Sequence, residues 1–276
     1  MKQLDQFDSE FSQILEDNRS GSVKVLHNFI IWLKRLAESG LGLELLIEHI
    51  GEKLKQVCET HQNLVVVDSF REAFLLDSHQ FLNTKEIVEW IVNYEQIWEN
   101  TNKVLASLLM GEEEFGGKTI LVHSNSHTIV EVLKYLKQKG YSFDVIQTES
   151  RPMFEGRQQS LDLLEHGIAV IFITDSSVAK IMPDVDMILL GADQFNQQGF
   201  LNKIGSYTIA LAAKQLSKPV YVLTDSRKEV ESFSESNQQP RQEVWPDSPD
   251  EINIVNHYFE VVPLSLVTRL ITETGE

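Results

Sequence analysis

The sequence is poor in cysteine, in basic charge and in long apolar runs, and each scarcity excludes something. Cys58 is the only cysteine among 276 residues, so no disulfide can form within the chain, which suits a reducing, cytoplasmic setting. Lys and Arg number 24 against 41 Asp and Glu, for a formal charge of −17. That balance argues against a broad basic face for nucleic acid or for an anionic membrane, and leaves room for a small cationic pocket that takes a phosphorylated metabolite. No stretch approaches the ~20 apolar residues of a membrane span, and Met1 to Glu10 is acidic and polar, without the apolar core of a leader. What is present is an ordinary globular composition, 42% hydrophobic, enough to core one large domain or two smaller ones. Cys58 falls in a helical apolar stripe with Leu46, Ile47, Ile50, Leu54 and Val57, the setting of a core or half-buried thiol.

The spacing of apolar residues divides the chain in two. Residues 1 to about 110 read as helices. Leu4, Phe7, Phe11, Ile14 and Leu15 define the first, and Val25, Leu26, Phe29, Ile30, Leu33 and Leu36 define the second, capped by Ser20 or Ser22. A third runs from Leu43 to about Thr60, and a long one from about Thr84 to Leu109. Asn63 to Asp68 carries three consecutive valines and fits a strand as well as a helix. The glycines and acidic residues of Gly111 to Gly117 mark a boundary, giving a helical N-terminal domain over 1–112 and a second domain over 113–276.

The second half alternates short, β-branched apolar runs with helical or loop sequence. The runs begin at Thr119, Asp144, Ala169, Met187 and Val220. This is the signature of βαβ units in a Rossmann-like, mostly parallel sheet, an α/β class. Ser226 to Asp250 is polar and holds Pro240, Pro246 and Pro249, so it reads as an excursion or flap. Phe259 to Leu264 returns as a strand, followed by a Pro-started helix ending near Thr272.

In such sheets ligands bind outside the carboxyl ends of the strands. Four segments bring polar residues there. The loop His123 to Thr128 offers Ser124, Asn125 and Ser126 at a strand-to-helix junction, where backbone N–H groups favour a phosphate or carboxylate. His123 and His127 lack the H-E-x-x-H pattern of a zinc site, and Ser124 lacks the elbow of a hydrolase. Arg151, after the second run, can grip a phosphate with two nitrogens or pair with Glu149 or Glu155 to fix its loop. Asp193 ends the fourth run, where a carboxylate in a partly dry cleft can move protons or simply cap a turn. Asn202 and Lys203 supply an amide and a cation beside it.

The ordered motifs Thr148-Glu-Ser-Arg-Pro152, Gly156-Arg157, Gly167-Ile168, Asp175, Gly191-Ala-Asp193, Gly199, Asn202 to Tyr207 and Phe259 to Pro263 resemble one superfamily. It contains the alpha, beta and delta regulatory subunits of translation initiation factor 2B. It also contains the isomerases of 5-methylthioribose 1-phosphate and ribose 1,5-bisphosphate. The resemblance covers about Lys118 to Thr272. Asp17 to Ser22, with Arg19, Ser20 and Gly21, also resembles the family's N-terminal phosphate-contacting segment.

The resemblance implies a helical domain on a Rossmann-like domain that dimerises. It implies a sugar phosphate or nucleotide as ligand, with Arg151, Arg157, Asn202 and Lys203 among the binding residues, and no cofactor or metal. In the isomerases a Cys and the Asp of Gly-Ala-Asp form the catalytic pair. Asp193 matches the Asp, whereas Ser124 stands where the Cys would be. A thiol exchanges protons near neutrality and an alkyl hydroxyl does not without strong activation, so the expectation is binding without efficient isomerisation. The alternative is an active aldose–ketose isomerase that uses Asp193, with Ser124 or a neighbouring His as its partner.

Overall fold

A computed structural model describes residues 2–17, 22–60, 65–234 and 237–275. The chain divides into two compact units, 1–101 and 102–276, with the division falling inside a long helix.

The first unit is helical. It comprises α1 (Lys2–Leu15), α2 (Ser22–Ala37), α3 (Leu43–Thr60), α4 (Val65–Asp77) and the start of α5 (Thr84–Glu112). Its core is aromatic, with Phe11, Phe29, Phe70 and Phe74 fully enclosed. The Trp32 and Phe29 rings stack at 5.6 Å, and Phe70 meets Tyr94 edge-on at 4.8 Å. Trp32 also donates its indole N–H to the Phe7 carbonyl at 2.9 Å, so the ring is buried without orphaning its polar atom.

The valine triplet resolves as helix. Val66, Val67, Phe70 and Phe74 are all fully buried on one side of α4, and that packing outweighs the β preference of valine. Asn63 and Leu64 lie outside the described residues. Ser22 is the first residue of α2, and Ser20 lies outside the described residues. Cys58 is half-buried; burial and the Asp68 carboxylate beside it push its thiol up to about 12, which leaves it protonated and unreactive.

The second unit carries β1 (Lys118–Val122), α6 (His127–Gln138), β2 (Phe143–Thr148), α7 (Gly156–Glu165), β3 (Val170–Ile173), the short α8 (Val178–Ile181) and β4 (Met187–Leu190). Then come β5 (Gln194–Phe195), β6 (Gly199–Lys203), α9 (Ser206–Gln215), β7 (Val220–Leu223), β8 (Phe259–Pro263) and β9 (Arg269–Ile271). Six strands pair in parallel in the order β3-β2-β1-β4-β7-β9. Successive residues of the central strands enter opposite cores. Ile120, Val122, Met187 and Leu189 pack on one side with α6, while Leu121, Ile188 and Leu190 pack on the other with α9. A sheet covered on both faces explains why these runs are continuously apolar rather than alternating.

A second, three-stranded antiparallel sheet, β5-β6-β8, extends the unit. The expected helix after Pro263 is not there. Leu264–Leu266 form a single 3₁₀ turn, and Arg269–Ile271 then join the main sheet beside β7. Thr268 fixes that entry, since its hydroxyl accepts the Val220 N–H at 3.0 Å and its own N–H donates to the Val220 carbonyl at 2.8 Å. The polar stretch 226–250 has two 3₁₀ turns, Ser226–Lys228 and Arg241–Glu243. Among the described residues, no helix is long and apolar enough to cross a membrane.

The two-sided burial of the sheet gives a direct expectation. Leu189→Ala should lower the free energy of unfolding by about 2–5 kcal/mol, read from urea denaturation, while Phe172→Ala on the half-exposed β3 should cost well under that. Equal losses would contradict this placement of the core.

Candidate functional site

The order of the main sheet reverses between β1 and β4, whose neighbours lead away in opposite directions. Such a switch point, at the carboxyl ends of the strands, is the position where doubly wound sheets hold ligands. Residues 123–126 follow β1 and residues 191–193 follow β4. The two loops touch: a Cβ on Gly191 would lie 2.5 Å from Ser126 Oγ, so only glycine allows this approach. Ser126 caps α6, its Oγ accepting from the Ile129 N–H at 3.4 Å, and its own N–H donates to Gln159 Oε1 at 2.6 Å.

Ser124 turns the chain out of β1 in the left-handed region, at φ 71°, an arrangement that costs a non-glycine residue roughly 1 kcal/mol or more. Its backbone is held on both sides. The Ser124 N–H donates to Ser150 Oγ at 2.8 Å, and the Ser124 carbonyl accepts from Gln147 Nε2 at 3.0 Å. Gln147 is fixed in turn by Gln159, whose Nε2 donates to Gln147 Oε1 at 2.7 Å.

His123 lies beneath Ser124 and is 1% exposed. Its Nε2 is 2.9 Å from the Ile204 carbonyl, which can only accept, so Nε2 carries the proton. Its Nδ1 lies 2.5 Å from Thr148 Oγ1 and accepts from that hydroxyl in the neutral ring. Burial pulls the imidazole down to about 4, against an opposing pull from Asp175 and the Ile204 carbonyl. The ring is therefore neutral, with both nitrogens engaged, and it ties the end of β1 to β2 and to the residue after β6.

Two other carboxylates occupy backbone donors that would otherwise suit an anion. Asp175 accepts from the N–H groups of Ser150, at 2.8 Å, and Arg151, at 2.7 Å. Glu260 of β8 accepts from Gly205 and Tyr207 at the start of α9, at 2.7 and 2.9 Å. These two positions are satisfied from within the fold.

The site's cation is Lys203, at the end of β6 and 2% exposed. Its ammonium is 2.5 Å from Glu155 Oε1 and 4.9 Å from the centre of the Tyr258 ring. Glu155 immediately precedes α7, with its side chain about nine-tenths buried, and desolvation raises its carboxyl above the usual range in spite of Lys203. A second buried lysine, Lys228, donates to the Ala192 carbonyl at 2.7 Å and so braces the turn that carries Asp193.

The residues singled out in the sequence separate as follows. Ser124, Asn125, Ser126, Asp193 and Lys203 belong to segments that meet at the switch point, where Gly191 packs on Ser126 and His123 bonds the carbonyl of Ile204 beside Lys203. Asp193 is half-buried, and its N–H donates to the Leu201 carbonyl at 2.8 Å, which links β4 to β6. Asn202 is buried with its amide turned to Ser206 Oγ at 2.9 Å. Arg151 reaches away, donating to the Val244 carbonyl at 3.0 Å, and lies over the Phe154 ring. Arg157 is exposed and lies over the same ring, 4.1 Å from its centre. Arg19, Ser20 and Gly21 lie outside the described residues. Glu155 appears in the sequence only as one possible partner of Arg151, and Lys228 carries no motif at all. Nothing local marks either, because their partners are distant in the chain.

The architecture is that of a doubly wound α/β domain whose strand ends gather at a switch point, preceded in the chain by a helical unit. The sequence profile of the Initiation factor 2 subunit family matches residues 22–276, and the chain belongs to that family. It is 32% identical over 200 residues to the ribose 1,5-bisphosphate isomerase of Archaeoglobus fulgidus, over 69% of this chain and 61% of that protein. It is 33% identical over 175 residues to translation initiation factor eIF2B subunit alpha of Dictyostelium discoideum, over 58% and 54%. The match thus spans about three-fifths or less of these relatives' own length. The crystal structure of the Pyrococcus horikoshii OT3 translation initiation factor eIF-2B shares the fold at a TM-score of 0.80 and 22% identity, over 98% of this chain and 96% of that one.

The buried imidazole makes a pH prediction. With its folded value near 4 and an unfolded value near 6.5, His123 contributes stability that is complete above about pH 6.5 and lost as pH falls toward 4. The total is roughly 3 kcal/mol. His123→Gln keeps one donor and one acceptor without titrating. Urea denaturation should therefore show the stability gap between wild type and variant closing across that window. A gap independent of pH would contradict the neutral, doubly bonded ring.

Proposed function

We propose that the chain is a binding protein for a sugar phosphate or nucleotide, related to the initiation factor 2B alpha subunit, that captures its ligand without efficient isomerisation. The observation that carries this reading is Lys203, a buried cation near the switch point where the loops after β1 and β4 meet. A phosphate needs such a cation, while the overall charge of −17 makes a small, enclosed phosphorylated molecule a better match than a polyanion. Ser124 and Asp193 would face the sugar, Asn125 and Ser126 would contact it through the α6 entrance, and Asn202 would hold Lys203 in place through the turn to α9.

Catalysis is disfavoured by the occupant of position 124. An alkyl hydroxyl needs a base, and His123 has both ring nitrogens engaged elsewhere. A second reading, an aldose–ketose isomerase, draws on Asp193, which stands half-buried at the end of β4 where a carboxylate can move a proton between adjacent carbons. Neither reading calls for a metal or cofactor. The ligand chemistry resides in the domain of residues 113–276, through which the protein would also form a homodimer in the cytoplasm. Arg157, exposed over the Phe154 ring, would serve at the rim, and Arg151 would order the neighbouring loop through the Val244 carbonyl.

Thermal denaturation with ribose 1,5-bisphosphate, 5-methylthioribose 1-phosphate and AMP tests the binding. A ligand at 100 times its Kd adds about 2.7 kcal/mol, or roughly 5 °C or more for a domain of this size. Lys203→Met should abolish that shift. No shift with any of the three, or an undiminished shift in the variant, defeats the reading. Incubating wild type with the two ribose esters should give no ketose, and Ser124→Cys should gain turnover; ketose formed by wild type would favour the isomerase.

A further inference from the structure

Lys203 is already neutralised. Its ammonium is paired with Glu155, both side chains are about nine-tenths or more buried, and a phosphate arriving at this cation meets a carboxylate in place. The pair is also unbalanced. Glu155 Oε1 takes the ammonium, whereas Oε2 is buried with no hydrogen-bond partner among the described residues. A buried oxygen without a donor is costly, and a native fold retains one where something else completes it.

Glu155 has little freedom to withdraw. The next residue, Gly156, is pressed against the end of β2, where a Cβ would come within 2.0 Å of the Thr148 carbonyl oxygen and 2.9 Å of Gln147 Nε2. The backbone at Glu155 is thus clamped to the same strand end that holds Ser124 and His123. Among the titratable groups that act on the pair, Asp175 after β3 adds negative charge and His123 after β1 is neutral. From the segment before β8 comes Tyr258, whose hydroxyl donates to Glu243 Oε1 at 2.5 Å. No further cation among these groups could offset a second anion beside Glu155.

We propose that Glu155 is the internal counter-anion of the phosphate site, holding Lys203 in the empty protein and taking a proton from solvent when an anionic ligand claims that lysine. The carboxylate becomes a neutral carboxylic acid, its O–H supplies a donor that the phosphate or a sugar hydroxyl can accept, and the lysine is released to the ligand. Burial already disposes Glu155 toward protonation, and an added negative charge nearby pushes it further the same way. Glu155 is on this account a specificity-determining residue. It disfavours anions at high pH and couples ligand capture to proton uptake, which would make affinity for a phosphorylated sugar a function of pH independent of the sugar's own titration. The inference rests on the reading that a phosphorylated ligand binds beside Lys203.

Inorganic sulfate is the appropriate probe, because it keeps both charges across the range whereas a phosphate ester titrates near pH 6. Calorimetric titration of wild type and Glu155→Gln with sulfate at pH 6 and pH 8 gives the affinities. Repeating the wild-type titration at pH 7 in buffers of different ionisation enthalpy gives the protons taken up. The expected result is wild-type affinity at least about fivefold higher at pH 6, uptake of a substantial fraction of one proton, and a variant that binds tightly at pH 8 and changes less than about twofold. Identical pH dependence in both proteins overturns the proposal and leaves the phosphate site standing. So does binding by wild type without proton uptake, a result that does not depend on the variant folding. If neither protein binds sulfate or any of the phosphate esters, the phosphate reading fails and takes this inference with it.

Discussion

A lysine ammonium with almost no access to water is the constraint around which the site is arranged. Taking Lys203 out of water costs several kcal/mol unless an anion meets it, and Glu155 does so at 2.5 Å. A buried ion pair of this kind is often no more stabilising than a well-packed apolar pair, so stability gives little reason for its presence at strand ends. The surrounding groups conform. The His123 ring is neutral, the Tyr258 ring offers its face, and Asp175 and Glu260 spend their charge on backbone N–H groups.

The backbone beside this cation is strained in three places. Ser124, Ser150 and Phe154 are non-glycine residues with φ of 71°, 60° and 59°. Each is held by its neighbours: Ser124 by Ser150 and Gln147, Ser150 by Asp175, and Phe154 by its N–H donating to the Ser150 carbonyl and its carbonyl accepting from the Arg157 N–H. Such turns redirect the chain just after β1 and β2, whose ends are already paired through Val122 and Gln147. They also fix the direction of Ser124, so that exchanging its hydroxyl for a thiol would change chemistry at an already formed position.

Much of this was legible in the sequence. Continuous apolar runs separated by helical spacing specify a parallel sheet, and the small polar residues closing those runs mark the strand ends, where Ser124, Asp193 and Lys203 fall. Elements decided by tertiary packing were less so. The valines of α4 favour a strand until Val66, Val67, Phe70 and Phe74 are seen buried together. Residues 264–272 carry apolar spacing that fits a helix, yet Arg269–Ile271 are drawn into the open edge beside β7. The Glu155–Lys203 pair is beyond sequence reasoning, since 48 positions separate two residues whose meeting depends on the main sheet and the small antiparallel one both being in place. Arg151 was ambiguous in the sequence, fit for a phosphate grip or for fixing its loop, and its contacts in the fold run to the Val244 carbonyl and the Phe154 ring.

Family membership narrows the chemistry without choosing between capture and conversion, because the relatives include both a translation factor subunit and a sugar-phosphate isomerase. Position 124 of this chain carries a hydroxyl, at the turn directly after β1. The most direct measurement is a crystal structure grown with ribose 1,5-bisphosphate. The account predicts a phosphate group hydrogen-bonded to Lys203 and the sugar lying between Ser124 and Asp193; density for the ligand elsewhere, with the Lys203–Glu155 pair closed and the switch point empty, would contradict it.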